Sequence, residues 1–448
     1  MNSIAASYTQ ASSRPTALSR AGQMFIAVFL IIVLEGAVRK WASSSSTLPL
    51  ILLRDLIAVG LVLYAWRGGH LRRQSKIAAA MLAWSCVVFG WGLLQLVGGE
   101  STPTIFIIGL RFWLLYTWFA VAAAASMNEA DYRASIWTAG ILMLALAPLA
   151  ALQFYSPPGA RINTQLEGDE GDVFVAIAGV VRATATFSFT SGYATFLGMV
   201  APIALGLLGA RKRTTRQQVF AISVFMAFVV GTLVSGSRAA TITSAVMFLA
   251  YLFGRLLFSK MRKKPAAAVA VVLALAVAAV FAYVFQGAIG VTQERFEQAA
   301  AAEDFAGRVL AILFAGPGIY DAITWLGSGI GYGSNLATYV RTGANAAFAL
   351  AETEGGRILL EGGLLGIAFS VLKVVVVTLG MAKSIRIAAK TNSPFPMLVW
   401  LTASLAIVTW SAIGQLTSNA LLGIVLTYAL LVLRYPRFEF FPPRASRT

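Results

Sequence analysis

The sequence predicts an all-α polytopic membrane protein with about 12 transmembrane helices. Two observations carry this prediction. Only 12% of the 448 residues are charged and 58% are hydrophobic, whereas a soluble domain carries about 25% charged residues to keep its surface wet. The apolar residues also fall into runs of about 20, the length that crosses a bilayer as a helix.

Twelve segments have this length and apolar character. The predicted spans are 22–38, 48–66, 77–97, 104–126, 135–155, 188–210, 218–235, 239–258, 266–286, 358–381, 396–414 and 417–434. No small-residue cleavage site follows the first apolar segment, so we expect an uncleaved first helix preceded by a tail over 1–21.

The net charge of +17 is explained by topology. Basic residues cluster in alternate loops and in the C-terminal tail, which is typical of cytoplasmic segments. We therefore expect a membrane protein with both termini, 1–21 and 435–448, in the cytoplasm. No nucleic-acid partner is expected, because the aromatic and basic side chains are not interleaved as in a stacking platform. The clusters are Arg67/Arg72/Arg73/Lys76, Arg211/Lys212/Arg213/Arg216, Lys260/Arg262/Lys263/Lys264, Lys383/Arg386/Lys390 and Arg434/Arg437/Arg444/Arg447.

Two loops on the opposite, periplasmic side are longer than turns. They divide the predicted helices into two sets: helices 1–9 within 22–286, with a loop near 156–187, and helices 10–12 within 358–434 after a large loop over 287–357. Long loops that persist are usually functional. Helical apolar spacing over 305–326 predicts amphipathic helices along the membrane surface.

Arginine on the periplasmic side is the main chemical signal. Guanidinium groups match phosphate oxygens in a bidentate manner, so several on one cavity would hold a diphosphate. Arg54 and Arg111 lie within apolar spans, where a charge marks either a functional position or an ion pair that locks helices together; both interpretations stay open. The candidate diphosphate ligands are Arg182, Arg238, Arg308 and Arg357.

Metal and disulfide chemistry are not expected. The chain has one cysteine and one histidine, which removes cysteine-based and histidine-based metal sites. The glycine run 327–333 is not a phosphate-binding loop, since no Lys-Ser/Thr follows it and no strand–helix unit surrounds it. We interpret it as a flexible turn where backbones pack closely.

The order of several short motifs resembles the O-antigen polymerase and ligase superfamily of bacterial glycosyltransferases. The motifs are Ser235-Gly-Ser-Arg238-Ala-Ala240, Gly307-Arg308, Pro317, the glycine run and Glu361-Gly-Gly-Leu-Leu-Gly366. The match is densest across about 180–370. The segments Glu35-Gly-Ala-Val-Arg39-Lys40-Trp41 and Arg54-Asp55 also look like a subgroup of exopolysaccharide polymerases.

The resemblance implies an all-helical fold in the bacterial inner membrane, with a large helical periplasmic loop capping a central cavity. It also implies a reaction and its participants. Such proteins transfer a glycan from undecaprenyl diphosphate to an acceptor sugar without metal or cofactor, and Arg238 and Arg308 match the arginines thought to bind the leaving group. It implies polymerisation of lipid-linked repeat units into O-antigen or exopolysaccharide, with inversion at the anomeric carbon. A chain-length regulator and a flippase are the protein partners it suggests.

One departure from the family selects the candidate base. Relatives carry a His-Asn pair about nine residues before the glutamate that matches Glu361, and that position here is Glu352. Glu352 is therefore the preferred general base, with Glu354 second; both could instead pair with Arg357 on a helix face. For Glu361 we expect a supporting role, either ordering the arginines or capping a helix.

Three other functions are open. A ligase that transfers glycan to lipid A core has the same fold, but the missing histidine argues against it. A flippase or secondary transporter would show inverted repeats, and no repeat is visible. A non-enzymatic scaffold would leave the arginines unexplained.

Overall fold

The computed structural model describes residues 18–164, 176–177, 180–211, 214–258, 315, 319–343 and 353–442. These residues are almost entirely helical, and a short antiparallel pair of strands, β1 (Ala176–Ile177) and β2 (Val180–Val181), interrupts them. The helices are α1 Arg20–Trp41, α2 Thr47–Arg67, α3 Ser75–Val97, α4 Pro103–Leu110, α5 Tyr116–Ser126, α6 Glu129–Tyr155, α7 Thr190–Gly209, α8 Thr215–Val234, α9 Arg238–Phe258, α10 Ile319–Ala322, α11 Asn335–Thr342, α12 Glu354–Gly362, α13 Leu364–Thr391, α14 Phe395–Thr409 and α15 Leu416–Arg434.

The all-α polytopic membrane fold is confirmed. Ten helical segments among the described residues are long and apolar enough to cross a bilayer, with α4 and α5 forming one continuous span. The apolar α14, at the predicted span 396–414, is shorter. The predicted span 266–286 and most of the predicted loop 287–357, with its cap over a central cavity, lie outside the described residues.

Successive long helices alternate in direction, which separates the connections into two ends of the bundle. The basic loops lie at one end, which we call the basic face. The described residues of the connections 42–46, 98–102, 156–189, 235–237 and 410–415 lie at the other, which we call the loop face.

Capping fixes the helix starts at the basic face. Asn128 and Asp131 form a reciprocal capping box at the start of α6, the arrangement that satisfies two N–H groups at once. The Asp131 carboxylate also accepts hydrogen bonds from the backbone N–H and hydroxyl of Ser19, at 2.9 and 2.6 Å. The starts of α1 and α6 are therefore joined.

A π-helical turn, Arg111–Leu115, lies inside the span formed by α4 and α5. Such turns insert an extra residue into an α-helix and occur often at functional sites. This one directs Arg111 toward Asp55 on α2 and Trp113 toward Glu361 on α12, so one turn reaches two different polar clusters.

The buried apolar side chains form two clusters. The larger one fills the bundle between α1, α5–α9, α14 and α15. The smaller one joins α3, α4 and the π-turn to the glycine run, α11, α12 and the start of α13. The described part of the predicted large loop packs on the bundle through this smaller cluster.

The predicted span 358–381 differs from the structure at its start. The chain breaks at Gly363, whose φ of +54° favours glycine, and a Cβ there would lie 2.4 Å from the Trp325 carbonyl oxygen. The predicted span is thus divided into the short α12 and the long α13, and α12 packs back against α13.

Candidate functional site

Two of the predicted diphosphate ligands, Arg182 and Arg238, come together at the loop face. Arg182 follows β2, Arg238 is the first residue of α9, and both are half-buried. Burial lowers the pKa of Arg182, and the positive charge of Arg238 lowers it further. The two guanidinium groups are therefore close enough to repel each other, and positive charge is concentrated between α9 and the segment before α7.

The segment after Arg182 is fixed to α1 and α6. The Lys40 ammonium donates to the Thr184 hydroxyl at 2.8 Å and to the Ala185 carbonyl at 2.7 Å. The side-chain oxygen of Gln153 accepts the backbone N–H groups of both residues, at 3.1 and 2.7 Å. A third guanidinium, that of Arg39, donates to the hydroxyl of Ser188 at 3.1 Å. The position of Arg182 is thus set by contacts from two long helices.

The motif Ser235-Gly-Ser-Arg238 is a tight turn that starts α9. Gly236 has a φ of +59°, a conformation that glycine adopts without strain. The Ser237 hydroxyl accepts the N–H of Ala240 at 3.3 Å, which is N-terminal capping of the helix. The turn places Arg238 on the first turn of α9.

Glu354 and Arg357 form a second, buried cluster at the start of α12. The Glu354 carboxylate accepts the Ile413 N–H at 2.8 Å and lies 3.9 Å from the Arg357 guanidinium. A Cβ at Gly414 would lie 1.3 Å from a nitrogen of Arg357, so Arg357 packs directly on this glycine. The geometry matches the ion-pair interpretation of these residues, and together they hold α12 against the α14–α15 loop.

Burial raises the pKa of Glu354 despite the opposing effects of the nearby Lys373 and Arg357 charges and of the backbone hydrogen bonds from Ile413 and Ala412. A carboxyl group whose charged form is destabilised in this way is a stronger proton acceptor than a surface carboxylate. Its side chain is only 2% exposed, however, which restricts access by a substrate hydroxyl.

Glu361 holds the glycine run. One carboxylate oxygen accepts the Gly331 N–H at 2.9 Å and the Trp113 indole N–H at 3.1 Å, and the other accepts the Gly333 N–H at 2.8 Å. Burial outweighs these hydrogen bonds and the Arg357 charge, and raises the pKa of Glu361 to about 7. The expected helix-capping role is wrong, because Glu361 lies near the end of α12 instead of at a helix start.

The glycine run packs closely, as the sequence suggested, and is extensively hydrogen-bonded. A Cβ on Gly331, whose φ is +85°, would lie 2.5 Å from the backbone nitrogen of Gly109 on α4. Gln95 on α3 accepts the Ile330 N–H at 2.9 Å and donates to the carbonyls of Leu326 and Glu361 at 2.7 and 2.8 Å. The run is therefore clamped between α3, α4 and α12.

Arg54 and Arg111 belong to a network of paired charges inside the bundle. Arg54 donates to both oxygens of Glu35 at 2.7 Å. Asp55 accepts Arg111 at 2.8 and 3.2 Å and the Tyr116 hydroxyl at 2.8 Å. Two arginines meet two carboxylates, which matches the helix-locking interpretation of both residues and ties α1, α2 and the π-turn together.

Two of the predicted site residues, Arg308 and Glu352, lie outside the described residues, and their roles stay predictions. Of the amphipathic segment 305–326, the structure describes residue 315 and residues 319–326, with one short helix, α10. Within the described ranges, no three His, Cys, Asp or Glu side chains are grouped to hold a metal ion.

The sequence interpretation missed several residues that build the loop face. Trp113 and Gln95 bind Glu361 and the glycine run, and Gly414 supports Arg357. Lys373 acts on Glu354 from within α13. Gln95 and Lys373 had a visible signal, a polar side chain in an apolar span; Trp113 and Gly414 had none.

No protein-family model matches this chain, and no curated protein matches it.

Proposed function

We propose that this protein is a glycosyltransferase that polymerises undecaprenyl-diphosphate-linked oligosaccharides into a surface polysaccharide. The observation that carries the proposal is the convergence of Arg182 and Arg238 at the loop face. Two guanidinium groups that repel each other are stabilised when a multiply charged anion binds between them. A lipid diphosphate is such an anion, and its lipid chain would remain in the bilayer.

The reaction needs few protein groups other than these two positive charges. The hydroxyl oxygen of the acceptor sugar attacks the anomeric carbon, the bond from that carbon to the diphosphate oxygen breaks, and the hydroxyl proton passes to a carboxylate. Undecaprenyl diphosphate leaves with the electron pair of the broken bond. The arginines neutralise the charge that develops on the leaving group, and groups fixed in advance do this most effectively.

Glu352 remains our candidate for the proton acceptor. Glu354 has a raised pKa, but it is buried and holds the Ile413 N–H. Glu352 precedes it by two residues. Attack from the side opposite the leaving group inverts the anomeric centre.

The orientation we propose follows the distribution of basic residues. Lys- and Arg-rich short loops stay in the cytoplasm, which assigns the basic face and both termini to the cytoplasm. The loop face, with Arg182 and Arg238, then lies on the periplasmic side of the inner membrane. Arg308 and Arg357 were predicted to join the diphosphate site; the contacts of Arg357 with Glu354 and Gly414 favour a supporting role for it.

The test is chain growth by purified protein in nanodiscs supplied with undecaprenyl-diphosphate-linked oligosaccharide, followed on a gel. We expect a ladder of products from the wild type, and none from Arg238→Ala or Glu352→Gln. The matched control is Arg133→Ala, which removes an arginine from an exposed pair at the basic face and should leave the ladder unchanged.

Two outcomes would reject the proposal. A ladder of wild-type intensity from Arg238→Ala would remove the arginine pair from the reaction. The absence of a ladder, combined with movement of intact donor between leaflets, would make the protein a transporter.

A further inference from the structure

The lipid-facing surface of α2 carries an open groove near the basic face. The groove has a volume of about 520 Å³, which is within the range of about 300–1,000 Å³ found for small-molecule sites. Most of α2 is not covered by the rest of the described chain, so this surface contacts the bilayer. The groove, which we call the α2 groove, is lined by Gly60, Leu63, Tyr64, Arg67 and Gly68.

The spacing of these residues makes the groove run along the helix. Positions three, four and seven residues apart lie on one face of an α-helix, so Leu63, Tyr64 and Arg67 follow Gly60 toward the end of α2. Gly60 has no side chain, and a Cβ placed there would find no atom within 4 Å. The groove therefore remains open at Gly60, and Arg67 lies seven residues further on, about 10.5 Å at 1.5 Å per residue.

Arg67 lies at the depth of the lipid headgroups. It is the last residue of α2, and its neighbour Trp66 is 68% exposed. Tryptophan is enriched where the bilayer meets water, so the end of α2 marks the membrane surface. The part of the groove from Gly60 to Tyr64 then lies in the hydrocarbon. The groove thus has a charged end at the surface and an apolar end within the bilayer.

Tyr64 is held in place by the turn that follows α2. A 3₁₀ turn over His70–Gln74 brings the His70 ring to 5.4 Å from the Tyr64 ring, where the two rings stack. Gly68 permits this approach, because a Cβ there would lie 2.7 Å from the His70 ring. One side of the groove is therefore fixed before any ligand binds, and a preorganised site loses less conformational entropy on binding.

Positive charge is concentrated at the surface end of the groove. Arg67, Arg72 and Arg73 are exposed, and among the described residues none of the three forms an ion pair with a carboxylate. The preference of basic residues for one side of the membrane explains the side on which these arginines lie. It does not explain why Arg67 stands at the end of an apolar groove.

We propose that the α2 groove binds one anionic phospholipid from the leaflet at the basic face. An acyl chain would lie against Gly60 and Leu63, and the phosphate would accept hydrogen bonds from Arg67, whose guanidinium matches phosphate oxygens. Basic pockets beside spanning helices recognise anionic headgroups in this way. A zwitterionic lipid has the same chains, but its ammonium group is repelled by the arginines. This inference does not depend on the proposed function.

The experiment measures binding of phosphatidylglycerol to the full-length protein in detergent by native mass spectrometry. We expect the first molecule to bind roughly fivefold more tightly than phosphatidylcholine, which is the contribution of one basic side chain near an anionic surface. Arg67→Gln should remove this preference, and Arg67→Lys should keep most of it. Gly60→Leu should weaken binding to a similar extent although it changes no charge, because its side chain occupies the groove.

Both substitutions have a matched control. A Cβ added to Gly90 on α3 also has no atom within 4 Å, so Gly90→Leu places the same side chain on another lipid-facing helix. Arg386→Gln removes an exposed arginine from α13 near the basic face. Both controls should bind phosphatidylglycerol as the wild type does.

Thermal unfolding provides a second readout. Phosphatidylglycerol should raise the unfolding temperature of the wild type and of both controls more than that of Gly60→Leu, since a ligand stabilises the state that it binds. Unfolding without added lipid checks that each variant is folded, and Gly60→Leu should be as stable as the wild type because the added side chain meets no neighbour.

Three results would overturn the inference. Wild-type affinity in Gly60→Leu would mean that the groove is not used and that the arginines attract lipid only as surface charge. Equal binding of phosphatidylcholine would make the groove a site for bulk lipid, and displacement of phosphatidylglycerol by inorganic phosphate would show that the acyl chain is not recognised. None of these results bears on chain growth, which tests the arginine pair at the opposite end of the bundle.

Discussion

The bundle interior and the loop face of this protein arrange charge in opposite ways. Inside the bundle, Arg54 is paired with Glu35 and Arg111 with Asp55, so the network carries no net charge. At the loop face Arg182 and Arg238 repel each other, and a buried carboxyl, Glu361, is held by N–H groups. Balanced charges stabilise a fold, whereas like charges held together are the arrangement that our proposed function uses to bind a ligand of the opposite sign.

The largest expected effect comes from breaking a pair in the interior. Glu35→Leu would leave the fully buried Arg54 to share the single carboxylate of Asp55 with Arg111, so the interior would carry one excess positive charge. Loss of one partner from a buried pair costs about 3–5 kcal/mol. We expect poor yield or a large fall in the unfolding temperature in detergent. Glu35→Leu combined with Arg54→Leu should recover most of the loss, since the Asp55–Arg111 pair remains.

The control for this prediction is Glu129→Gln, which breaks an exposed pair with Arg133. Exposed pairs contribute about 0–1 kcal/mol, so this variant should unfold close to the wild type. Equal losses from the exposed and buried pairs would contradict the distinction between interior and surface charges.

The second largest expected effect is a pH dependence of the free energy of unfolding, caused by Glu361 at the loop face. The pKa of Glu361 is raised from 4.5 to about 7 in the folded protein, so the folded state binds the proton more tightly than the unfolded state. The resulting stabilisation is full below pH 4.5 and is lost as the pH rises toward 7, by roughly 3 kcal/mol in total. Glu361→Gln should lack this component.

Unfolding of wild type and Glu361→Gln across this pH range provides the measurement. The difference between the two curves isolates Glu361, because Glu354 and the other titrating groups are common to both. A constant difference at all pH values would mean that the pKa of Glu361 is the same in the folded and unfolded states, so that burial does not govern it.

A smaller effect tests how the backbone packs at the loop face. Gly331→Ala places a Cβ against the backbone of Gly109 in a left-handed conformation, whereas Gly343→Ala has the same handedness with no atom within 4 Å. Both substitutions place an alanine in a left-handed conformation, which costs about 1–2 kcal/mol. The crowded position should cost about 2 kcal/mol more, seen as a lower unfolding temperature.

The smallest expected effect has the opposite sign. Arg182→Met removes a half-buried charge that is repelled by Arg238, and we expect a gain of roughly 0.5–1 kcal/mol in stability together with loss of chain growth. Functional sites often cost stability in this way. The gain in stability from Arg182→Met should be smaller in a protein that already carries Arg238→Met. If Arg182→Met lowers stability both in the wild type and in Arg238→Met, the Arg182 charge is structural.

The sequence predicted the membrane fold because the length of an apolar run can be seen locally. It also indicated which arginines to examine at the loop face, because a charge at an unexpected position is equally local. It left open whether Arg54 and Arg111 were structural, and the contact that favours the structural interpretation of Arg54 crosses from α1 to α2. The helix-capping alternative for Glu361 was wrong because the helix break at Gly363 depends on the approach of the Trp325 backbone. Contacts between distant segments have no signature in a single sequence.

The π-turn at Arg111–Leu115 has a consequence for how this span tolerates changes in length. Each residue of a regular α-helix advances the direction of the side chains by about 100°. Deletion of a single residue from the π-turn would restore a regular helix and rotate one end of the span against the other, so that Arg111 and Trp113 could no longer face Asp55 and Glu361 together. The number of residues in this span, and not their chemistry alone, therefore helps to specify the loop face.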